Sequence, residues 1–205
     1  TPGYDQMIFY PLKKSNSNKI ININTYKKTL LFVGRLDYLK ALDIAIEVIK
    51  IANNNNKFYK LLIAGGDLGS DEQKKLVSML ETNNISQHIN WLGSLSQEKL
   101  NSAYNSVDIV IVPSRSETFG LVCLEAIATK TPVIVSNVGR MRDMVVNYDS
   151  GVLISDINPI NFYNEIRRFF DKKSSFKLSK ESLEKIKFFT WEAVFKELLS
   201  NLLIK

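Results

Sequence analysis

Cysteine and histidine each occur once in this 205-residue chain, as Cys123 and His88. A lone cysteine excludes an internal disulfide framework and suits a reducing cytosol. One histidine and one cysteine cannot assemble a His/Cys metal cluster. No apolar run approaches the roughly 18 residues that a membrane span needs. The opening Thr1-Pro2-Gly3-Tyr4-Asp5 lacks the basic and apolar blocks of a signal peptide. Neither G-x-G-x-x-G nor G-x-x-x-x-G-K-[ST] occurs anywhere, so the two commonest phosphate-binding glycine fingerprints are missing. The net charge of +6 raises the question of nucleic acid. The lysines are scattered, however, and aromatics do not interleave with them as on a base-stacking platform. Solvated helix faces account for most of them, and contact between a basic face and an anionic membrane surface stays open.

What is present is ordinary globular composition, 45% hydrophobic and 23% charged, arranged in a steady rhythm. Leu30–Val33, Tyr59–Ala64, His88–Leu92, Asp108–Val112, Pro132–Val135 and Gly151–Ile154 are short apolar runs bounded by turn residues. Helical patterns separate them. Leu42, Ala45, Ile46 and Ile49 recur at i, i+3, i+4, i+7. Ser70 with Gln73 forms a capping box for a helix to about Leu80. Ser96 caps another, Phe119–Ala128 and Met141–Val146 read as helical, and Asn158-Pro159 starts a further helix. Continuous rather than alternating apolar strands indicate a sheet covered on both faces. The expectation is an α/β doubly wound, Rossmann-like parallel sheet of about six strands. Its bounds are 29–171, after a polar loop or linker over 13–28 within an entering segment 1–28. A helical extension occupies 172–205, polar to about Ser182, with Trp191–Leu203 helical and its large side chains in the core. His88 reads as a strand-edge residue and Cys123 as a small buried hydrophobe.

In such a sheet, ligands collect beyond the carboxyl ends of the strands. The segment after the first strand, Gly34-Arg35-Leu36-Asp37-Tyr38-Leu39-Lys40, carries two cations. They are either solvated on a surface turn or directed at a pyrophosphate. Gly65-Gly66 permits a tight turn, and Gly93-Ser94-Leu95 offers backbone groups to a base edge. After the fourth strand, Glu117 sits in the loop and Glu125 about two turns into the next helix, with Thr118, Phe119, Gly120 and Leu121 between. Amides at that helix start attract an anion, and two carboxylates can accept hydrogen bonds from diols. One capping glutamate and one ordinary helix glutamate fit the spacing equally well.

Taken together, these segments resemble the retaining glycosyltransferases of family 4, within the GT-B superfamily. Thr1–Asp5 with Phe9-Tyr10-Pro11 is similar to the family's hinge, and Gly34-Arg35-Leu36 to Lys40 to its phosphate-binding segment. Glu117 to Glu125 matches its Glu, seven residues, Glu signature. Thr131–Gly139 resembles its "GTPVV.S.VGG" stretch, and Thr190-Trp191-Glu192 its closing helix. Ala41, Lys130 and Arg140 stand where glycine is usual. The resemblance implies one half of a GT-B fold, binding a UDP-, GDP- or ADP-sugar and transferring a hexose. It gives Arg35 and Lys40 to the diphosphate, beside Gly34, and Glu117 to the sugar hydroxyls. Thr118, Phe119, Gly120 and Leu121 then lie alongside the donor, Glu125 holds the ribose, and Leu95 meets the base. Glu117, Arg35 and Lys40 would carry the catalytic roles. No bound divalent metal or other cofactor is expected. The acceptor would rest mainly on an N-terminal domain absent from this sequence, so the isolated chain should turn over little. A cytoplasmic setting, or the inner face of a membrane, fits. Another GT-B activity, such as an epimerase or phosphorylase, or a non-catalytic nucleotide-binding module, is the alternative.

Overall fold

A computed structural model describes residues 2–22, 28–67, 69–82, 85–171 and 180–203. The apolar runs become six strands: β1 (Thr29–Val33), β2 (Lys60–Ala64), β3 (Ile89–Gly93), β4 (Ile109–Val112), β5 (Val133–Ser136) and β6 (Gly151–Ile154). All neighbouring pairs are parallel, in the order β3-β2-β1-β4-β5-β6. Leu31 lies opposite Leu62 on one side and Val110 on the other, so β1 is the centre of the sheet. The chain winds from β1 toward β3, returns to β4, then winds away toward β6. The Rossmann-like expectation is met.

The four inner strands, β1, β2, β4 and β5, bury both rows of side chains, as continuous apolar runs require, while the edge strands β3 and β6 are partly covered. Leu30, Phe32, Leu61, Ile63, Ile109, Ile111 and Ile134 face one core, beneath α2 (Leu42–Asn54), α3 (Asp71–Thr82) and α7 (Pro159–Asp171). Leu31, Leu62, Val110, Val112, Val133 and Val135 face the other, beneath α4 (Gln97–Ser106), α5 (Leu121–Ala128), α6 (Met141–Tyr148) and α8 (Lys180–Ile186). Burying a leucine or isoleucine side chain is worth roughly 1.5–3 kcal/mol, so these two layers dominate stabilisation. Cys123 belongs to the second layer, and burial pushes its thiol up to about 12.

Helix starts follow local chemistry. Ser96 Oγ accepts the Lys99 amide at 3.4 Å, and Ser70 Oγ accepts the Gln73 amide at 3.2 Å. The Gln73 side chain reaches the Gly69 amide rather than that of Ser70, so the expected box closes one residue early. α5 begins at Leu121, not Phe119, because Gly120 occupies the left-handed region at φ 73° and serves as the N-cap. Glu125 therefore lies one turn into the helix, not two.

Two expectations fail at the ends. Lys14–Ile20, inside the segment expected to be a loop or linker, is a helix (α1) packed on α4. Its supports are polar: Leu12 donates its amide to Asn105 Oδ1 at 2.6 Å, Asn105 Nδ2 donates to the Tyr10 carbonyl, and Lys14 pairs with Asp108. Hydrophobic periodicity cannot register such an interface. In α9 (Trp191–Leu203), the large apolar residues do not enter the core. Trp191 is 54% and Phe195 62% exposed, and Leu198 and Leu199 lie on the same open stripe. Only Val194 is buried among the helix's described apolar side chains. Of the polar segments 13–28 and 172–182, residues 23–27 and 172–179 lie outside the described residues. Among the described residues, no helix is long and apolar enough to cross a membrane.

Candidate functional site

The sheet order fixes where ligand chemistry can gather. Between β1 and β4 the winding reverses, so their following loops diverge and leave a crevice at the carboxyl edge. The segment Gly34–Lys40 leaves β1 on one side of this switch point. The segment Pro113–Gly120 leaves β4 on the other. Lys40 and Glu117 meet across it, with Lys40 Nζ 2.6 Å from Glu117 Oε2 and both side chains largely covered. Burial raises the Glu117 carboxyl, but the Lys40 hydrogen bond and charge, with the Gly120 and Thr118 amides, outweigh it. The net position is below the ordinary carboxylate value, so Glu117 is held ionised.

Close backbone approaches shape this loop. Gly139, after β5 with φ 55°, lies so near the Glu117 carbonyl that any Cβ there would overlap it. Gly65, after β2 with φ 115°, leaves equally little room beside the Gly34 carbonyl. Both are positions that only glycine fills without displacement. Ala41 departs from that rule. It holds φ 55° as the N-cap of α2 and is fully buried, a left-handed backbone of the kind that favours glycine. Lys130 does likewise at φ 65°, just past α5, while Arg140 at φ −86° needs no glycine conformation.

Beside the Lys40–Glu117 pair opens a cleft of about 330 Å³ beyond β1, β2 and β3. Gly34, Arg35, Gly65, Gly66, Ser94 and Leu95 are among the residues that line it. The structure brings Gly34, Arg35 and Leu95 together around the cleft, and Lys40, Glu117, Thr118 and Gly120 around the ion pair, with the Lys40 side chain passing over Gly34. The Arg35 guanidinium pairs with Asp37 at 2.9 Å, and its side chain is 77% exposed. Thr118, Phe119 and Leu121 are exposed along the start of α5.

Glu125 occupies a different environment from Glu117. Its Oε2 accepts the Tyr104 hydroxyl at 2.7 Å, from a side chain wholly buried in α4. Burial drives the Glu125 carboxyl up to about 7, although the Tyr104 bond pulls the other way. One glutamate is therefore ionised throughout the neutral range, and the other is poised between its two forms.

Sequence reasoning missed three contributors. Asp37 caps the turn, its Oδ1 accepting the Lys40 amide at 3.0 Å while Oδ2 holds Arg35. Arg115 and Asp43 form a two-pronged ion pair, at 2.9 and 2.6 Å, between the β4 loop and the first turn of α2. An Asp three residues before a Lys in a turn is a readable cap signal. Nothing local connects residues 43 and 115.

With this geometry in hand, the likenesses to known proteins fall into line. Residues 13–186 match the family described as "Glycosyl transferases group 1". The D-inositol 3-phosphate glycosyltransferase of Mycolicibacterium smegmatis is 33% identical over 202 residues, covering 98% of this chain and 45% of that protein. Sucrose-phosphate synthase from Thermosynechococcus elongatus superposes with a TM-score of 0.84 at 25% identity, over 99% of this chain and 51% of that one. Anabaena HepE, solved in complex with UDP, superposes at 0.83 and 17% identity, over 99% and 56%. The chain spans about half the length of each. Family match, sequence relatives and topology agree: this chain belongs to the group 1 glycosyltransferases, with the Rossmann-like sheet of the GT-B fold.

Proposed function

We propose that the chain is the donor-binding half of a retaining hexosyltransferase that takes its sugar from a nucleoside diphosphate, with UDP the leading carrier. The observation that carries this reading is the Lys40–Glu117 pair across the switch point, next to a cleft lined in part by Gly34, Gly65 and Gly66. UDP in the Anabaena relative supports the carrier, and a sugar-acceptor reaction in the mycobacterial relative's name supports the class.

The chemistry divides by residue. The cleft beyond β1–β3 takes the base, with the Gly93–Leu95 backbone at its rim. Glu125 accepts hydrogen bonds from the ribose hydroxyls, and Glu117 from the donor sugar. Lys40 has three N–H donors, so it can keep one on Glu117 and turn another to a phosphate oxygen. Arg35 leaves Asp37 to grip the diphosphate as a planar fork. Negative charge grows on that diphosphate as the glycosidic bond breaks, and the two cations stabilise it most when it is greatest. Transfer without a divalent metal is part of this proposal. Neither glutamate acts as general acid or base. The acceptor, and hence turnover, would depend on a second domain.

Calorimetric titration with UDP and with UDP-glucose tests this. Glu117→Ala should weaken UDP-glucose about tenfold while leaving UDP nearly unchanged, and Lys40→Ala should weaken both. Unchanged affinity of both variants for both ligands would overturn the assignment.

A further inference from the structure

We propose that Arg115 is a positioning residue that sets the spacing between Lys40 and Glu117 by clamping the β1 and β4 loops together across the switch point. The proposal rests on the donor-site reading and goes beyond it, since Arg115 needs no contact with the ligand.

Four contacts converge on this one residue. Its amide donates to the Leu39 carbonyl at 2.8 Å. Its guanidinium donates to the Tyr38 carbonyl at 2.8 Å and grips both oxygens of Asp43 at 2.9 and 2.6 Å. The same plane lies 4.2 Å from the Tyr38 ring centroid. Every partner belongs to the β1 loop or the first turn of α2, whereas Arg115 stands two residues before Glu117 on the β4 loop. Tyr38, Leu39 and Asp43 flank Lys40 on both sides. The clamp therefore encloses the segment that carries the cation and is anchored next to the residue that carries the anion.

Backbone and side chain act in one direction. Between the clamp and the site lies Ala41, whose left-handed backbone turns the chain from Lys40 into α2. A turn in that conformation is held by its surroundings rather than by its own preference. Arg115 supplies those surroundings from the opposite loop. Only a guanidinium fits: a planar fork can bind a carboxylate, a carbonyl and a ring face at once, and an ammonium cannot. The Asp43 hydrogen bonds, working against burial, raise the Arg115 basicity. The charged form is thus the one the clamp uses.

The test compares UDP with uridine on this chain and follows the Glu117 carboxyl by pH titration in carbon-detected NMR. Arg115→Ala should weaken UDP about tenfold, leave uridine unchanged, and move Glu117 toward a higher pKa as Lys40 drifts away. Arg115→Lys should fall between wild type and Arg115→Ala. Asp43→Asn keeps the Tyr38 carbonyl bond, should fold if Arg115→Ala does not, and should shift UDP affinity and Glu117 in the same direction. A purely structural role would lower the melting temperature yet leave the UDP-to-uridine ratio and the Glu117 titration unmoved, which would overturn the proposal. If Lys40→Ala weakens UDP while the Arg115 and Asp43 variants bind it normally, the clamp is wrong and the donor site stands. If UDP, GDP and ADP all fail to bind wild type, both fall.

Discussion

Single residues in this chain carry instructive conflicts. Lys130 ends α5 in a two-bond cap: its own amide donates to the Ile127 carbonyl and the next amide, of Thr131, to that of Ala126. That pattern puts Lys130 at the position where glycine is preferred, and its φ of 65° costs a side-chain-bearing residue about 1–2 kcal/mol. Glycine would recover that cost but lose about 0.4–1 kcal/mol through the unfolded chain. Lys130→Gly should therefore stabilise by roughly 0.5–1 kcal/mol, seen by calorimetry as a rise of a few degrees or less. Glu125 carries a second conflict. Its folded pKa of about 7 lies above the unfolded value of 4.5, so between those values the folded protein binds more protons than the unfolded one. Stability from this group is then complete below about pH 4.5 and lost as pH rises through 7. Glu125→Gln keeps an acceptor for Tyr104 without the charge. Relative to wild type it should be near neutral at pH 4.5 and more stable at pH 8, by on the order of 3 kcal/mol at most. Melting curves at the two pH values decide it; equal differences at both would show that Glu125 is not proton-linked.

At the scale of elements, the six strands and most of their helices were legible, because buried parallel strands need continuous apolar runs and their helices need a 3.6-residue stripe. What escaped was held by polar contacts between distant residues. α1 has the composition of a loop, yet Asn101 and Asn105, both buried in α4, capture the chain that leads into it. α9 has the composition of a core helix, yet its stripe lies open. Composition says what a segment can bury, not whether a partner surface is near. The same limit applied at the site. The order of Gly34 to Lys40 and of Glu117 to Glu125 could be read directly, but the Arg115–Asp43 pair spans 72 residues and leaves no local trace. α1 offers a direct check. Asn105→Ala strands the Leu12 amide and the Tyr10 carbonyl, at a cost of about 2–3 kcal/mol. Hydrogen exchange over residues 10–20 should accelerate by one to two orders of magnitude while β1 and β4 keep their protection. Acceleration spread evenly through the sheet would instead make α1 part of the global cooperative unit.

For the whole molecule, the decisive fact is that the candidate site belongs to neither half of the sheet. Arg35 and Lys40 leave the strand that begins the β1–β3 half, and Glu117 and Glu125 follow the strand that begins the β4–β6 half. A nucleoside diphosphate held by both would resist separation of the halves, so its binding energy should appear as global rather than local stability. A ligand that binds only the folded state at a concentration 100 times its dissociation constant adds about 2.7 kcal/mol. In a chain of this size each kilocalorie raises the melting temperature by roughly 2–4 °C, so UDP at that level should raise it by about 5–10 °C. Because the attraction is largely charge on charge, added salt should shrink the shift. Lys40→Ala, compared at the same UDP concentration, should lose most of it, since removing one of two cations weakens the grip on the diphosphate. Protection against hydrogen exchange should rise in β2 and β5 together. A rise confined to β1–β3 would mean that the nucleotide rests in the cleft without its ribose engaging Glu125, and the bridging of the two halves would fail with it.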